Sequence, residues 1–371
     1  MIKRLYVHNY RCLQNFELPI SERPSSLLIG KNGTGKSTIG SVLELFQRIG
    51  RGTNRVGELV QASAFANFRY DAPMRFEMEV VIDSRIYAYT LALELPDGFR
   101  ELRVLEEKLF VDGKRIYTRE HAQVELGRAT PQSARFMVDW HIIALPLIQA
   151  QPAGDPVSIL RTWLGRMLIL APLPSLITGE VEVDKENPRP KRDVTDWGAW
   201  FVSLIRYAPA AYSEMDRYLK TVMPDFQDVK NPEPDRGGTI RVQFFNGATT
   251  LSLPFSDLSD GEKCFFICAM VIAARQAYGS IFCFWDEPDN YLSISEIGHF
   301  VLALRRSFQA GGQIVVTSHN QEVVRKFSDE NTLVVGRRSH LEPTMIRLLR
   351  DMQASGDFME ALIGGDVEPW E

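Results

Sequence analysis

Residues 26–38 read Ser-Leu-Leu-Ile-Gly-Lys-Asn-Gly-Thr-Gly-Lys-Ser-Thr. An apolar run enters the spacing G-x-x-x-x-G-K-[ST], which predicts a strand, a phosphate-cradling loop and the N-terminus of a helix. Gly30, Gly33 and Gly35 let the backbone curl so that successive N–H groups face phosphate oxygens. Lys36 can then reach the β- and γ-phosphates of a nucleotide and the Ser37 hydroxyl can ligate Mg²⁺, with Asn32, Gly33, Thr34, Gly35 and Thr38 as further candidate nucleotide contacts. Ile39, Val42, Leu43 and Phe46 recur at helical spacing after the loop, as a strand–loop–helix unit requires. A plain glycine turn gives no packing reason for the Lys-Ser pair.

Three further stretches fit the same chemistry. Ile281-Phe282-Cys283-Phe284-Trp285 is an apolar strand ending in Asp286-Glu287, the form of a Walker B element. Asp286 is the candidate second Mg²⁺ ligand, and Glu287 is the candidate general base for an attacking water. Upstream, Leu258-Ser259-Asp260-Gly261-Glu262-Lys263 opens an apolar helix. Its N-terminus offers the Ser259 hydroxyl and the Gly261 backbone to a γ-phosphate, while the plainer alternative is a Ser259/Glu262 capping box. Downstream, Ile314-Val315-Val316-Thr317-Ser318-His319 is a buried strand ending in His319, a candidate sensor of the γ-phosphate.

With 371 residues and 45% hydrophobic content, the chain can bury a substantial core. No uncharged apolar stretch reaches the roughly 18 residues of a membrane span, and the N-terminus lacks a signal-peptide pattern, so the expectation is a cytoplasmic protein with no membrane partner. Cys12, Cys264, Cys268 and Cys283 form no C-x-x-C pair and read as buried free thiols, and the scattered histidines do not indicate zinc. A net charge of −5 argues against coating nucleic acid by charge alone. Arg189-Pro190-Lys191-Arg192 and Arg305-Arg306 are the densest basic spots and read as solvated surface.

Residues 2–7 read as a strand with Phe16–Ile20 as its hairpin partner. Alternating runs at 74–80, 86–91, 105–111 and 115–117, separated by turn signals such as Asp112-Gly113-Lys114, predict an antiparallel β-subdomain inserted after the P-loop helix. Residues 146–234 hold more than half of the prolines and predict a helical lobe of short helices, notably Trp197–Tyr207 and Tyr212–Val222. From residue 240 strands and helices alternate, which predicts a parallel sheet beginning at Ile240–Phe245. The division expected is 1–145 as a first ATPase lobe with P-loop and β-subdomain, 146–240 as the helical lobe, 241–345 as a second ATPase lobe, and 346–371 as an acidic tail.

Taken together, these residues resemble the ABC-type ATPase heads of the SMC, RecF and OLD-like group, an α/β P-loop NTPase fold. The resemblance rests on Asn9-Tyr10-Arg11, the P-loop, Leu258–Lys263, Trp285–Ser293 and Thr317–Asn320, and is weakest between residues 120 and 240. Asp286-Glu287-Pro288-Asp289-Asn290-Tyr291-Leu292-Ser293 and Thr317-Ser318-His319-Asn320 look most like stand-alone bacterial ATPases of anti-phage defence. The resemblance implies a head-to-tail homodimer sandwiching two ATP molecules, each held by the P-loop of one subunit and the signature of the other. It assigns Arg11 to the phosphates and leaves Gln149 and Gln151 as alternative Mg²⁺-completing glutamines. Two departures stand out: Ser293 where many relatives have aspartate, and Asp260 where the commonest signature has glycine.

Only about fifty residues follow His319, too few for the nuclease domain of OLD-type proteins, so the expectation is a separately encoded effector, a nuclease or toxin, switched by ATP. The stretch reads as one strand and a helix pair with an acidic end. The alternatives are a RecF-like repair ATPase binding DNA directly and, as an outsider, the nucleotide-binding subunit of a membrane transporter.

Overall fold

The alternation written at residues 74–120 becomes a run of antiparallel strands, Met74–Ile82, Arg85–Glu94, Arg103–Val111 and Lys114–Glu120, followed by Gln123–Leu126 and Arg135–Met137. The computed structural model describes residues 1–127, 134–149, 154–182, 187–232, 237–328 and 330–352. Gln151 and the acidic C-terminal end lie outside them. The chain forms two compact units: Met1–Arg23, Leu28–Met167 and Asp329–Glu371 make the first, and Pro24–Leu27 with Leu168–Ser328 the second. Among the described residues, no helix is long and apolar enough to cross a membrane.

In the first unit Met74, Phe76, Met78 and Val80 are almost fully buried while Arg75, Glu77 and Glu79 alternate with them, so one face of the sheet is core and the other polar. Asp83-Ser84 and Asp112-Gly113 each place two successive residues at positive φ, the two-residue turn whose twist suits a hairpin. The N-terminal strand Ile2–His8 also pairs antiparallel with Met74–Ile82, with Tyr6 opposite Glu77, and Phe16–Glu17 pairs on its other side. The antiparallel insertion is therefore continuous with the N-terminal hairpin in one eight-stranded sheet among the described residues. Helix Lys36–Gly50 buries Ile39, Val42, Leu43 and Phe46, as their spacing dictates, and Phe46 meets Tyr89 edge-on.

A charged group lies at the centre of this unit. Glu107, with no exposure, accepts hydrogen bonds from the Tyr89 and Tyr117 hydroxyls at 3.0 and 2.8 Å and from the backbone N–H of Ala144 and Leu145 at 2.7 and 2.9 Å. The equally buried Arg119 sits 3.5 Å away and donates to the carbonyls of His121, Ile142 and Asp139. Burial, then the Glu107 charge, pushes both tyrosine hydroxyls well above their usual range. The pair is tolerated at this depth because every partner is present.

The second unit carries parallel strands Leu168–Leu170, Phe282–Trp285 and Gln313–Thr317, with Leu170 opposite Trp285 and Trp285 opposite Val316. Helices Trp197–Tyr207 and Ala211–Val222 fall within a residue or so of the predicted spans, and Asp260–Tyr278 and Ile294–Gln309 belong to the same unit. Asp260–Tyr278 is apolar nearly all round and is correspondingly buried, Cys264 and Cys268 included. Trp197 stacks on Phe255 at 3.9 Å and on Phe201 at 5.2 Å, fixing the entry to that helix with pairs worth about 1 kcal/mol each.

Two expectations change. Arg241–Phe245 joins no parallel sheet but an antiparallel trio with Phe226–Lys230 and Thr250–Pro254, because the Asn246–Thr249 turn brings the chain straight back, with Phe245 opposite Thr250. After His319, the helix Gln321–Lys326 is followed by two strands, Thr332–Gly336 and Met345–Leu348, paired antiparallel in the first unit. The four cysteines are buried free thiols.

Candidate functional site

The residues singled out by motif divide between the two units. In the first, the P-loop curls with Gly30, Gly33 and Gly35 all at positive φ. At Gly35 a Cβ would lie 2.8 Å from Thr344 Oγ1 and 2.9 Å from Cys12 Sγ, so the glycine is demanded by close approach as well as by φ. Gly35 is also the N-cap of helix Lys36–Gly50 and provides no side-chain cap, which leaves the first-turn N–H groups for an anion. Lys36 is buried, its ammonium donating to the carbonyls of Gly30 at 2.6 Å and Lys31 at 3.1 Å. The Thr34 hydroxyl donates to Lys31 O at 2.8 Å, whereas Asn32, Gly33 and Ser37 are exposed. These donors and this curvature suit a polyphosphate.

Around the loop, Cys12 Sγ lies 3.7 Å from Thr38 Oγ1, and Thr344 closes the other side. Its buried hydroxyl donates to Thr34 O at 2.7 Å, while its N–H donates to Cys12 O at 2.8 Å. Thr344 belongs to no motif, and only the contact reveals it. Arg11 is exposed at positive φ, its guanidinium 5.3 Å from the Tyr10 ring centre. Asn9 donates to the carbonyls of Arg69 and Ala72, tying this turn to the 64–72 segment. Gln149 is exposed.

In the second unit, the parallel register brings the ends of two strands together and with them Asp286, Glu287 and His319. Thr317, fully buried, joins all of this: its hydroxyl donates to Asp286 Oδ1 at 2.6 Å and accepts the Glu287 N–H at 2.9 Å. Glu287 sits at φ 49°, a left-handed conformation for a residue with a long side chain. Its carboxylate accepts from Asn290 Nδ2 at 2.6 Å and lies 3.4 Å from His319 Nε2. The Ser318 hydroxyl donates to Asp289 at 2.9 Å, and burial pushes the Asp289 carboxyl up. Asp286 Oδ2 faces Arg192 Nη2 at 3.8 Å. Arg192 is half-buried and faces an acid, where the local run of basic residues implied fully solvated surface.

At the tip of helix Asp260–Tyr278, Ser259 and Glu262 form a complete capping box. The plain cap is realised here, with Gly261 beside it and only 3.0 Å between its notional Cβ and Tyr291 O. Ser293 likewise caps helix Ile294–Gln309 with Glu296. That cap gives the Ser293 hydroxyl a structural use.

Comparison with known proteins matches two stretches of the chain to ATPase families. Residues 1–90 match the family model described as "AAA ATPase domain", and residues 162–325 match that described as "AAA domain, putative AbiEii toxin, Type IV TA system". An SMC head solved with the C-winged helix domain of ScpA superposes with a TM-score of 0.59 at 14% identity, covering 94% of this chain and 99% of that one. An SMC head with an extended coiled coil, bound to the C-terminal domain of ScpA from Pyrococcus furiosus, gives 0.54 at 12% identity over 94% and 97%. Over 45 residues the chain is 44% identical to the OLD nuclease of Thermus scotoductus, a match spanning 12% of this chain and 8% of that protein. The fold is thus that of SMC ATPase heads, and two stretches of the chain are similar to AAA-type ATPase domains.

Proposed function

We propose that the chain binds and hydrolyses ATP, dimerises around it, and in doing so switches a separate effector, a nuclease or toxin, in bacterial anti-phage defence. The observation that carries the hydrolytic part is the cluster at Thr317, which fixes Asp286 and Glu287 from one hydroxyl and sets His319 against the Glu287 carboxylate. Glu287 takes the proton of the attacking water, and His319, 3.4 Å from it, holds that carboxylate in place. Lys36 exchanges the carbonyls of Gly30 and Lys31 for phosphate oxygens. By their motif roles Ser37 and Asp286 would hold Mg²⁺, which supplies charge neutralisation on the phosphates. In the dimer, Ser259 and Gly261 of one copy meet the nucleotide held by the other, so Ser259 exchanges its Glu262 contact for phosphate.

The defence role draws support from the toxin–antitoxin family named for the second matched segment and from the short OLD nuclease likeness. Partner control draws on the ScpA-bound SMC heads. The test is light scattering of the Glu287→Gln chain with and without ATP, together with purification from its native host. An ATP-dependent doubling of mass and a co-purifying nuclease or toxin are expected. A monomer at saturating ATP overturns the dimer, and a chain that purifies alone overturns the effector.

A further inference from the structure

Arg192 lies outside every nucleotide-binding motif, yet it meets the candidate Walker B aspartate. The loop that carries it is held at several points. The Asp196 carboxylate accepts the Lys191 N–H at 3.0 Å and Asn187 Nδ2 at 2.5 Å, and Asp193 accepts both the N–H and the hydroxyl of Thr195 at 3.1 and 2.9 Å. The backbone is stitched to the end of strand Leu168–Leu170: Ala171 N–H donates to Arg192 O at 2.8 Å and Leu173 N–H to Asp193 O at 3.1 Å. That strand is the in-register parallel neighbour of Phe282–Trp285, and Asp286 N–H donates to Leu170 O at 2.8 Å. Arg192 is therefore delivered one strand away from Asp286 by secondary structure rather than by a loose side chain.

The two Asp286 oxygens have different neighbours. Oδ1 accepts the Thr317 hydroxyl at 2.6 Å, and Oδ2 faces the Arg192 guanidinium at 3.8 Å. The Asp286 side chain is 13% exposed and that of Arg192 26%, so the pair is only partly screened by water. A carboxylate oxygen that ligates a divalent cation does so best when no other cation stands over it.

We propose that Arg192 is a positioning residue that competes with the divalent cation for Asp286 Oδ2, so that the metal loads only when nucleotide phosphates add their own negative charge. The inference rests on the reading of Asp286 as a metal ligand. Without nucleotide, the guanidinium neutralises Asp286 and holds its carboxylate in place. When the triphosphate arrives, its charge tips the competition and the guanidinium shares or yields Oδ2. The device keeps the site from holding metal without ATP.

The experiment titrates Mn²⁺ into the full-length protein, followed by electron paramagnetic resonance, with and without the non-hydrolysable analogue AMP-PNP. R192Q is expected to tighten nucleotide-free Mn²⁺ binding about tenfold and to shrink the difference that AMP-PNP makes. R192K, which keeps the charge, is expected to stay within about threefold of wild type, a rescue that a purely structural role of the guanidinium fork would not give. D286N is expected to remove the site in the parent and in the R192Q background. If D286N binds Mn²⁺ as the parent does, the metal-ligand reading fails and the inference with it. If D286N loses the metal while R192Q binds it no more tightly than the parent, only the inference about Arg192 is overturned.

Discussion

The P-loop and the acid cluster handle polar groups in opposite ways. In the P-loop, a contiguous run supplies both the donors and their partners: Lys36 rests on the carbonyls of Gly30 and Lys31, and Thr34 on Lys31. In the acid cluster, Asp286 and Glu287 are organised by Thr317, and Asp289 by Ser318, across a parallel strand pairing. A loop whose donors are held mainly by its own carbonyls should govern affinity, while a cluster assembled from distant residues should govern the rate. Substitutions in each region can break or sharpen that contrast.

The largest effect is expected at Glu287. Glu287→Gln should lower kcat about a thousandfold in a phosphate-release assay while ATP still binds; wild-type turnover would remove this residue as the base. Next is Lys36→Ala, for which equilibrium binding of a fluorescent ATP analogue should weaken about a hundredfold. Unchanged affinity would break the contrast from the P-loop side. Thr317→Val deletes the shared hydroxyl at nearly constant volume and should cost about thirtyfold in kcat with little change in ATP affinity, and Thr317→Ser should restore most of it. A Thr317→Val chain losing affinity instead would show that the two regions act as one. The smallest is Gly35→Ala, which meets Thr344 and Cys12 and strains a φ of 108°; dissociation of ATP should speed up about tenfold by stopped flow.

How much of this was legible follows the same divide. The P-loop could be read because its geometry depends on neighbours in sequence, and the strand ending in Asp286-Glu287 because five apolar residues before two acids have few other uses. Helix Asp260–Tyr278 was visible by its apolar length and its cap. Thr317 and Thr344 could not be picked out, since a hydroxyl acquires its role only when pairing places it beside a partner. Arg192 was masked by its basic neighbours, because local charge density says nothing about which cation faces inward. Glu107 read as an ordinary polar position of an alternating strand, yet it is buried, holds the N–H groups of Ala144 and Leu145 and faces the buried Arg119. The antiparallel pairing of Arg241–Phe245 turned on a short connection, which a pattern of strands followed by helices does not reveal.

Glu287 holds its backbone where a long side chain is costly, at φ 49°. Asparagine tolerates that conformation better. Glu287→Asn should therefore raise the melting temperature by a few degrees in differential scanning calorimetry even as it abolishes turnover. On the proposed function, the backbone at Glu287 gives up local durability to set a carboxylate against the His319 ring.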